Sequence, residues 1–467
     1  MKLTIWGAAK QVTGSMHLLE IEKNFTILVD CGMDYEKSSD MKDPNQSFPF
    51  DPREVNAMIL THAHIDHSGN IPNLIKQGFD GPIYMTHPTA ILSEHLLKDS
   101  LNIQRMEANG SRRKPGKRGK KYSYDAELLY GRKHIKKMLN QLVIVSFNEP
   151  ERIHDNVVLS FHDAGHILGS ASARLEIEKD GTKRVVGFTG DLGNYGSPQM
   201  NDPQPMGELD YLVTESTYGG RTHKKTGLAR EELRHYINET CVAKEGKLVI
   251  PAFSVGRTQA IIFTIHQLYR EGKLPNIQIY TDSPLAIRST KAYENNMHYL
   301  NQETQDFAKR YGSLFEFPNL QVVENNNASE VMSEQPDPCV IISAAGMVEG
   351  GRIQTHVKNN IESDKNTILI AGYCSEGTLG HRLLQGQDFI EINHKKRPAR
   401  AQIGRTDAFS AHPDHNGLIK YISESINDNM KTIFLVHGDE IHMDSLIEDI
   451  PFKSVIKPKK GQEFELI

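Results

Sequence analysis

The pattern of apolar and polar residues changes once along the chain. In the first part, short apolar runs at 26–30 and 57–61 are rich in β-branched residues and end in polar residues, which predicts two strands. Helices are predicted at roughly 88–106 and 124–139, and strands return over about 157–189. Chemistry is common where a buried strand of an α/β protein ends, so the turn after 57–61 is of particular interest.

From about residue 211, strand-like and helical stretches alternate. Short apolar runs predict the strands of this part: 248–250, 277–280, 340–342 and 368–370. Helices are predicted to begin at Arg257 and at Leu285. This alternation is typical of βαβ units around a parallel sheet. The tail, from about 399 to 467, returns to strand, helix and strand.

The turn after the second predicted strand is dense in metal-ligand residue types, with His62, His64, Asp66 and His67. Histidines at i and i+2 of a turn can face one ion, and an Asp-His pair just downstream can turn to a second. Three later motifs add further candidates. The predicted ligands are His62, His64 and His166 for one ion, Asp66, His67 and His437 for the other, and Asp191 as a bridge between them.

Imidazole and carboxylate ligands favour zinc, so the predicted cofactors are two Zn²⁺ ions, with manganese or iron at one site as the alternative. Two adjacent cations lower the pKa of a shared water and neutralise a phosphoryl or carbonyl oxygen. Asp30, at the end of the first predicted strand, is expected to support the cluster rather than to bind metal. The alternative for His437 is a buried histidine with a structural role.

The tail supplies His412 and His437, which should rejoin the first cluster. A late segment that completes an early site implies that the middle of the chain is an inserted domain. We therefore predict three segments: 1–208 and 396–467 as two parts of one domain, and 209–395 as the insertion.

Composition narrows the function classes. A chain of 467 residues can form two sizeable cores, and its net charge of −5 argues mildly against nonspecific coating of nucleic acid, although it allows a local positive channel. None of the four cysteines lies in a CxxC pair, which favours a reducing cytoplasmic location over a disulfide framework. No signal peptide and no membrane span are predicted.

Taken together, the motifs resemble those of the metallo-β-lactamase superfamily, and the middle of the chain resembles its β-CASP branch of nucleases. The resemblance extends from Gly7 to His437 and rests on these stretches: 61–67, 164–166, 189–191, 215–219, 251–257, 282–286, 343–347, 376–380 and 409–412. It implies an αββα sandwich with an inserted parallel-sheet α/β domain. The branch includes the endonuclease of eukaryotic mRNA 3′-end processing and prokaryotic ribonucleases, and the chain looks like the compact bacterial form.

The resemblance places Glu215, His412 and His437 at the three extra motifs of the branch. A histidine at the third position favours RNA over DNA as substrate. The implied activity is zinc-dependent hydrolysis of single-stranded RNA by a two-metal-activated hydroxide, endonucleolytic or also 5′-exonucleolytic. His412 is then the general acid and Glu215 its partner, whereas Asp66 is an alternative proton acceptor. Without the resemblance, Glu215 would be interpreted as a helix cap or surface carboxylate.

Glycine- or serine-bearing turns at strand ends of the middle domain are predicted to bind RNA phosphates through backbone N–H groups and nearby arginines. The predicted substrate-binding residues are Ser254, Arg257, Ser343, Gly346, Gly377, Thr378 and Arg382. Arg352 also lies near these turns in sequence. The basic run at 111–121 is interpreted either as a solvated loop or as a secondary RNA contact.

Three alternatives remain open from the sequence. One is a DNA nuclease of the same branch, one is a hydrolase of a small ester, and one is a noncatalytic RNA-binding scaffold of a processing complex. The scaffold is expected to lose metal ligands, whereas here every ligand position is filled. The sequence is compatible with a monomer or a homodimer.

Overall fold

The computed structural model describes residues 1–35, 43–111, 128–223, 228–325, 328–329, 332, 338–375, 377–392 and 395–467. Residues 112–121 of the basic run, and Glu376 of the third predicted phosphate turn, lie outside this part of the chain.

The described strands are β1 (Lys2–Ile5), β2 (His17–Glu22), β3 (Phe25–Val29), β4 (Ala57–Ile59), β5 (Ile83–Met85), β6 (Leu142–Ile144), β7 (Pro150–His154), β8 (Val157–Asp163), β9 (Ala171–Lys179), β10 (Thr182–Phe188), β11 (Tyr211–Glu215), β12 (Lys247–Pro251), β13 (Gln278–Asp282), β14 (Leu320–Val322), β15 (Cys339–Ser343), β16 (Thr367–Ala371), β17 (Phe389–Ile392), β18 (Lys395–Pro398), β19 (Gln402–Thr406), β20 (Thr432–Val436), β21 (Val455–Ile456) and β22 (Gln462–Glu465).

The described α-helices are α1 (Ile65–Ser68), α2 (Ile71–Lys76), α3 (His87–Ser111), α4 (Arg132–Asn140), α5 (Ala229–Ile237), α6 (Arg257–Arg270), α7 (Pro284–Asn295), α8 (Gln302–Tyr311), α9 (Ile353–Asn360), α10 (Leu379–Leu384), α11 (His415–Ser425) and α12 (Glu440–Asp449). Short 3₁₀ turns lie at Pro52–Glu54 and Met297–Tyr299, and a π-helical turn at Asn238–Ala243 continues α5.

Two seven-stranded sheets stack face to face, with strand orders β22-β1-β2-β3-β4-β5-β6 and β21-β20-β11-β10-β9-β8-β7. Apolar side chains from both sheets, such as Ile27, Ile59, Leu159 and Val213, form the core between them. Residues of α2, α3 and α4 pack on the outer face of the first sheet, and α11 and α12 cover the second. The predicted αββα sandwich is confirmed.

The third sheet has the order β14-β13-β15-β12-β16-β19, and all of its paired strands are parallel. Its central strands β12, β15 and β16 are buried at every residue because helices pack on both faces, as in other parallel sheets. The predicted inserted α/β domain with a parallel sheet is confirmed.

Strand pairing shifts both expected domain boundaries. β11 lies in the second sheet between β10 and β20, so the sandwich continues at least to Glu215 and not only to residue 208. β19 pairs with β16 in the third sheet, so the insertion continues to Thr406 rather than ending at residue 395. Both strands lie beside partners that are distant in sequence, which local patterns do not reveal.

Residues 124–127 of the helix predicted at 124–139 lie outside the described part of the chain, and among the described residues the helix begins at Arg132. Gly131, with extended φ and ψ of −125° and 171°, precedes the helix, and its N–H donates to Nδ1 of His134. Tyr130 is instead buried in the core beneath the first sheet. Among the described residues, no helix is both long and apolar enough to cross a lipid bilayer.

Candidate metal centre

The candidate ligands lie where parallel strands of the two stacked sheets end. β3 and β4 pair in parallel, and the turn after β4 leads directly into α1, which carries Asp66 and His67. β11 pairs in parallel with both β10 and β20, so Asp191, after β10, and His437, after β20, lie at the same edge. Residues that are far apart in sequence therefore converge on one site.

The loop after β3 approaches α1 so closely that its central residue must be glycine. A Cβ atom on Gly32 would lie 1.6 Å from the carbonyl oxygen of Asp66. The adjacent Cys31 N–H donates to the carbonyl of His67 at 2.8 Å. These backbone contacts fix the turn that presents Asp66 and His67.

Three imidazoles of the first predicted ligand set lie close together. Nδ1 of His64 lies 3.1 Å from Nε2 of His62 and 3.2 Å from Nε2 of His166. Oδ2 of Asp191 lies 3.5 Å from Nε2 of His62 and 3.6 Å from that of His166. Burial lowers the pKa of all three imidazoles, that of His64 to about 4, and so favours the neutral form that binds cations.

The second predicted set lies on the other side of Asp191. Oδ1 of Asp191 is 3.1 Å from Nε2 of His67 and 3.4 Å from Nδ1 of His437, while Nε2 of His437 is 3.5 Å from Oδ2 of Asp66. Burial opposes ionisation of Asp66, but its hydrogen bond with His437 and the charge of His67 lower the pKa of the carboxyl to about 2. Burial alone would lower the pKa of the His67 imidazole. The negative charges of Asp191 and Asp30 outweigh burial and raise that pKa.

The donor set fits divalent cations. Oδ1 of Asp191 is buried and makes no hydrogen bond of good geometry, although two imidazole nitrogens face it. Within each set the candidate ligand atoms lie within 4.8 Å of one another. Several imidazole nitrogens and carboxylate oxygens directed at common points match the ligands that zinc and similar ions prefer.

Neighbouring polar groups orient two of the ligands. Asp30, whose φ of 58° is left-handed, accepts from the Thr61 N–H at 2.9 Å and places Oδ2 2.8 Å from Nδ1 of His67. Because Asp30 contacts Nδ1 of His67, the Nε2 atom of that ring is left facing Asp191. On the other side, the Thr217 hydroxyl lies 3.1 Å from Nδ1 of His437. Asp30 was expected to have this supporting role from the sequence, whereas Thr217 was not, although it lies within the stretch 215–219 that carries the family resemblance.

The Glu215 and His412 side chains meet beside the first ligand set. Nδ1 of His412 contacts the Glu215 carboxylate, which is fully buried and also accepts from the Leu192 N–H at 2.6 Å. The centre of the His412 ring is 4.5 Å from that of His166. Burial lowers the pKa of His412, but the negative charges of Glu215, Asp191 and Asp66 outweigh burial and raise it to about 9.

Arg257, at the start of α6, is a buried cation without a carboxylate partner among the described residues. It is 8% exposed, its Nε makes no hydrogen bond, and its guanidinium lies 4.7 Å from the centre of the Phe253 ring. The guanidinium nitrogens lie against the backbones of Gly346 and Gly372, where a Cβ would come within 3.2 Å and 2.6 Å of them. A buried unpaired guanidinium is costly unless it meets an anion.

The start of α6 is also adjacent to the metal centre. A Cβ on Gly256 would lie 2.9 Å from the Ile167 side chain, next to His166 in sequence. The Tyr293 hydroxyl on α7 accepts from the Leu168 N–H at 3.1 Å. The predicted phosphate turn around Arg257 is therefore packed on the loop that carries His166.

The other predicted substrate-binding residues have varied surroundings. The Ser343 hydroxyl is buried and donates to the carbonyl of Asp282, and the hydroxyls of Ser254 and Ser283 lie 3.3 Å apart. Thr378 accepts from the His381 N–H as the N-cap of α10. Gly377, with φ of 84°, is exposed, and Arg382 lies on α10 in an open groove that also contains Phe389 and Lys396.

Arg352 does not join this group as a free cation. Its guanidinium lies 2.5 Å from Oδ1 of Asp282 and donates to the carbonyls of Val323 and Glu324. Asp282 is fully buried and also contacts His356 at 2.6 Å. Arg352 therefore belongs to an ion-pair network with the buried Asp282, and a part for it in the phosphate track stays a prediction.

Comparison with known families matches three consecutive segments of the chain. The metallo-beta-lactamase superfamily matches residues 10–243, the Beta-Casp domain residues 258–383, and the Zn-dependent metallo-hydrolase RNA specificity domain residues 396–454. The chain belongs to the metallo-β-lactamase superfamily, in its β-CASP branch. The resemblance inferred from the sequence motifs is thus confirmed.

Several relatives match nearly the whole chain. A ribonuclease of Thermus thermophilus is 32% identical over 443 residues, which is 94% of both chains. An RNase J-like protein of Methanocaldococcus jannaschii is 32% identical over 443 residues, 94% of this chain and 92% of the relative. The transcription termination factor FttA of Methanosarcina mazei is 30% identical over 452 residues, 94% of this chain and 67% of the relative. The metal centre described above is that of a β-CASP protein with relatives named as ribonucleases.

Proposed function

We propose that this β-CASP protein is a metal-dependent ribonuclease that hydrolyses phosphodiester bonds in single-stranded RNA. The observation that carries the proposal is the convergence of a complete two-ion ligand set with the Glu215–His412 pair. The match to an RNA specificity domain and the relatives named as ribonucleases support RNA as the substrate.

The proposed cofactors are two zinc ions. His62, His64 and His166 would hold one, Asp66, His67 and His437 the other, and Asp191 would contact both. When bound, two such cations supply an activated water and neutralise charge on the scissile phosphate. The side chain of His62 is fully buried and those of His166 and Asp191 are nearly so, so these ligands are shielded from bulk solvent.

His412 is the proposed general acid. The Glu215 carboxylate holds Nδ1, so that Nε2, which has no hydrogen-bond partner among the described residues, is left for the substrate. The side chain is 21% exposed and can reach a leaving oxygen in the cleft. A protonated imidazole can donate to that oxygen as the P–O bond breaks. Asp66, whose side chain is 26% exposed, is the proposed alternative proton acceptor.

Substrate phosphates are proposed to bind at the inserted domain. Arg257 supplies the main positive charge, and the turn at Gly346 lies against its guanidinium. Arg382, with Nε buried and without a hydrogen bond, provides a second cation farther along the chain. The remaining proposed contacts come from turns at Ser254, Ser343, Gly377 and Thr378. Because the Ser343 hydroxyl is already engaged with Asp282, the backbone of that turn is the proposed contact.

The four cysteines are all buried and form no disulfide bonds, which supports the proposal of a reducing, cytoplasmic environment.

The proposed function is tested with zinc-loaded protein, end-labelled single-stranded RNA, matching DNA and a fluorogenic ester. Cleavage of RNA that stops on addition of chelator and in a His412→Ala variant is expected. The matched control is His235→Ala, because His235 is 70% exposed on α5 and should leave activity unchanged. Cleavage of DNA or ester alone, or absence of bound metal, would contradict the proposal. Fragment lengths would distinguish internal from 5′-terminal cleavage.

A further inference from the structure

A guanidinium lies over an aromatic ring near the proposed general acid, and the two belong to elements of different domains. Arg221 follows β11 of the sandwich, and Tyr373 follows β16 of the inserted sheet. The Cζ atom of Arg221 lies 5.6 Å from the centre of the Tyr373 ring. Arg221 is exposed and Tyr373 is half-buried, so the pair borders the solvent.

Tyr218 connects this pair to the proposed acid. Its buried ring is 6.3 Å from the Tyr373 ring, at an angle of 77°, and 6.1 Å from the His412 ring. The three rings therefore form a continuous row that begins at His412 and ends under the guanidinium of Arg221. This row is not part of either metal ligand set.

The loop that carries Arg221 is fixed to the loop that carries His412. The His415 N–H donates to the carbonyl of Arg221 at 2.8 Å, and the Gly220 N–H donates to Nδ1 of His415 at 2.9 Å. Nε2 of His223 lies 3.2 Å from the carbonyl oxygen of His412. A ligand held by Arg221 would thus keep a constant position relative to the acid.

The Arg221 side chain has no carboxylate or hydrogen-bond partner among the described residues, and its contact with Tyr373 is the interaction that orients it. Flat guanidinium groups and aromatic rings are the surfaces on which unpaired RNA bases stack. A guanidinium held over an aromatic ring at the border of the cleft offers two flat groups to a ligand.

We propose that Arg221 and Tyr373 form a stacking platform for an unpaired RNA base adjacent to the scissile phosphate. The inference rests on the proposed ribonuclease function and adds a requirement to it: the nucleotide beside the cleaved bond must be unpaired, because a base held in a duplex cannot stack on a protein side chain. The platform is sequence-tolerant, since every base has a flat face.

The test measures binding separately from cleavage. Metal-free protein, kept in chelator so that RNA stays intact, is titrated into a series of single-stranded RNAs. Each RNA carries one 2-aminopurine, and its position shifts by one nucleotide from one RNA to the next. Tyr373→Leu and Arg221→Lys are expected to weaken binding by about 5- to 100-fold, in line with the loss of one stacked base. Tyr373→Phe keeps the ring and should bind as the unmodified protein does.

The matched control is Arg310→Lys, because Arg310 also lies over a tyrosine ring, that of Tyr311 at 5.3 Å, but on the exposed surface of α8. It should not change RNA binding. An RNA with an abasic residue at the platform position should bind the unmodified protein weakly, and Tyr373→Leu should cause no further loss. Thermal unfolding of each variant checks that the fold is kept.

Several results would overturn the platform. One is equal binding of RNA by the unmodified protein and by Tyr373→Leu. Another is normal binding by Arg221→Lys together with weak binding by Arg221→Ala, which would indicate a simple phosphate contact. If one of these binding results is obtained and the zinc-loaded forms of the same proteins still cleave RNA, the platform fails while the ribonuclease function stands. If the unmodified protein neither binds nor cleaves RNA, both proposals fail.

Discussion

Both carboxylate oxygens of Glu215 lie 3.1 Å from Nδ1 of His412, although the two residues are 197 positions apart in the chain. Glu215 ends β11 of the sandwich, and His412 lies between the last strand of the inserted sheet and α11. A buried carboxylate so close to an imidazole holds the ring in one orientation and stabilises its charged form. The pair therefore acts as one unit whose parts come from segments on either side of the insertion.

Replacing His412 by alanine should lower kcat for RNA cleavage by about 10²- to 10⁴-fold, the usual contribution of a general acid. Bound zinc should be unchanged, because His412 is not among the proposed ligands of either ion. Glu215→Gln keeps the size of the side chain but removes the charge, so a smaller decrease in kcat is expected. Steady-state kinetics with metal analysis checks both variants. An unchanged kcat for His412→Ala would remove this residue from the mechanism.

Asp30→Asn should weaken zinc binding by about 10- to 100-fold, because the amide can no longer serve as an anionic acceptor for the His67 ring. Competition with a zinc-binding indicator dye measures the affinity. Asp306→Asn is a suitable control, since Asp306 is 59% exposed on α8 and contacts Lys309. Equal zinc affinity in Asp30→Asn and the control would show that Asp30 does not support the ligand.

Asp191→Ala should have a larger effect than Asp30→Asn, because Oδ1 and Oδ2 of Asp191 face different ligand sets. Zinc at both positions should be lost or greatly weakened, and chelator-sensitive cleavage should disappear with it. Metal analysis after dialysis is the direct measurement. Retention of a full complement of zinc would contradict the assignment of Asp191 as the shared ligand.

The convergence of the candidate ligands could be predicted from the sequence because each ligand motif follows a strand with a clear apolar pattern. His62 to His67 follow β4, and His437 directly follows β20. The sequence could not show that β11 pairs with β20 or that β19 joins the third sheet, since these contacts depend on long-range pairing. Local patterns therefore identified the inserted domain but misplaced its ends.

Arg257 and Arg352 illustrate a second limit of the sequence. Both lie near glycine-bearing turns of the middle domain and are equivalent as sequence features. In the structure, Arg352 is paired with the buried Asp282, whereas Arg257 lies against Phe253 and pairs with no carboxylate in the described part of the chain. Arg352 is neutralised by Asp282, which lies 70 positions away in the sequence, and no local pattern encodes that contact.

These two arginines should respond differently to the same substitution. Arg257→Met should leave the free energy of unfolding unchanged or raise it, because it removes an unpaired buried charge whose burial is costly. RNA affinity should fall by about 10- to 100-fold, since a hydrogen-bonded charge contact is lost. Urea unfolding and RNA titration measure the two effects. Normal RNA affinity in this variant would remove Arg257 from the phosphate site.

Arg352→Met should instead destabilise the protein by about 3 kcal/mol, because Asp282 is fully buried and would lose its main cation. RNA affinity of the folded variant should be close to that of the unmodified protein. The opposite pattern, with weak RNA binding and unchanged stability, would mean that Arg352 contacts the substrate after all.

Asp163 should make stability depend on pH. Burial raises the pKa of its carboxyl to about 6, although the Asn201 amide and the Gly165 N–H, which donate to it, act in the opposite direction. Because the folded pKa lies above the unfolded value of 3.8, the stabilisation from the protonated form is complete below the unfolded pKa. It is lost as the pH rises through 6.

Asp163→Asn cannot ionise, so the unmodified protein should lose stability relative to this variant between about pH 4 and pH 7, by up to about 3 kcal/mol. Urea unfolding of both metal-depleted proteins across this range measures the difference, and depletion removes the separate effect of acid on zinc binding. Since every other titrating group is shared by the two proteins, their contributions cancel in the comparison. Parallel stability curves would show that Asp163 titrates normally in the folded protein, and that its contacts with Asn201 and Gly165 compensate fully for its burial.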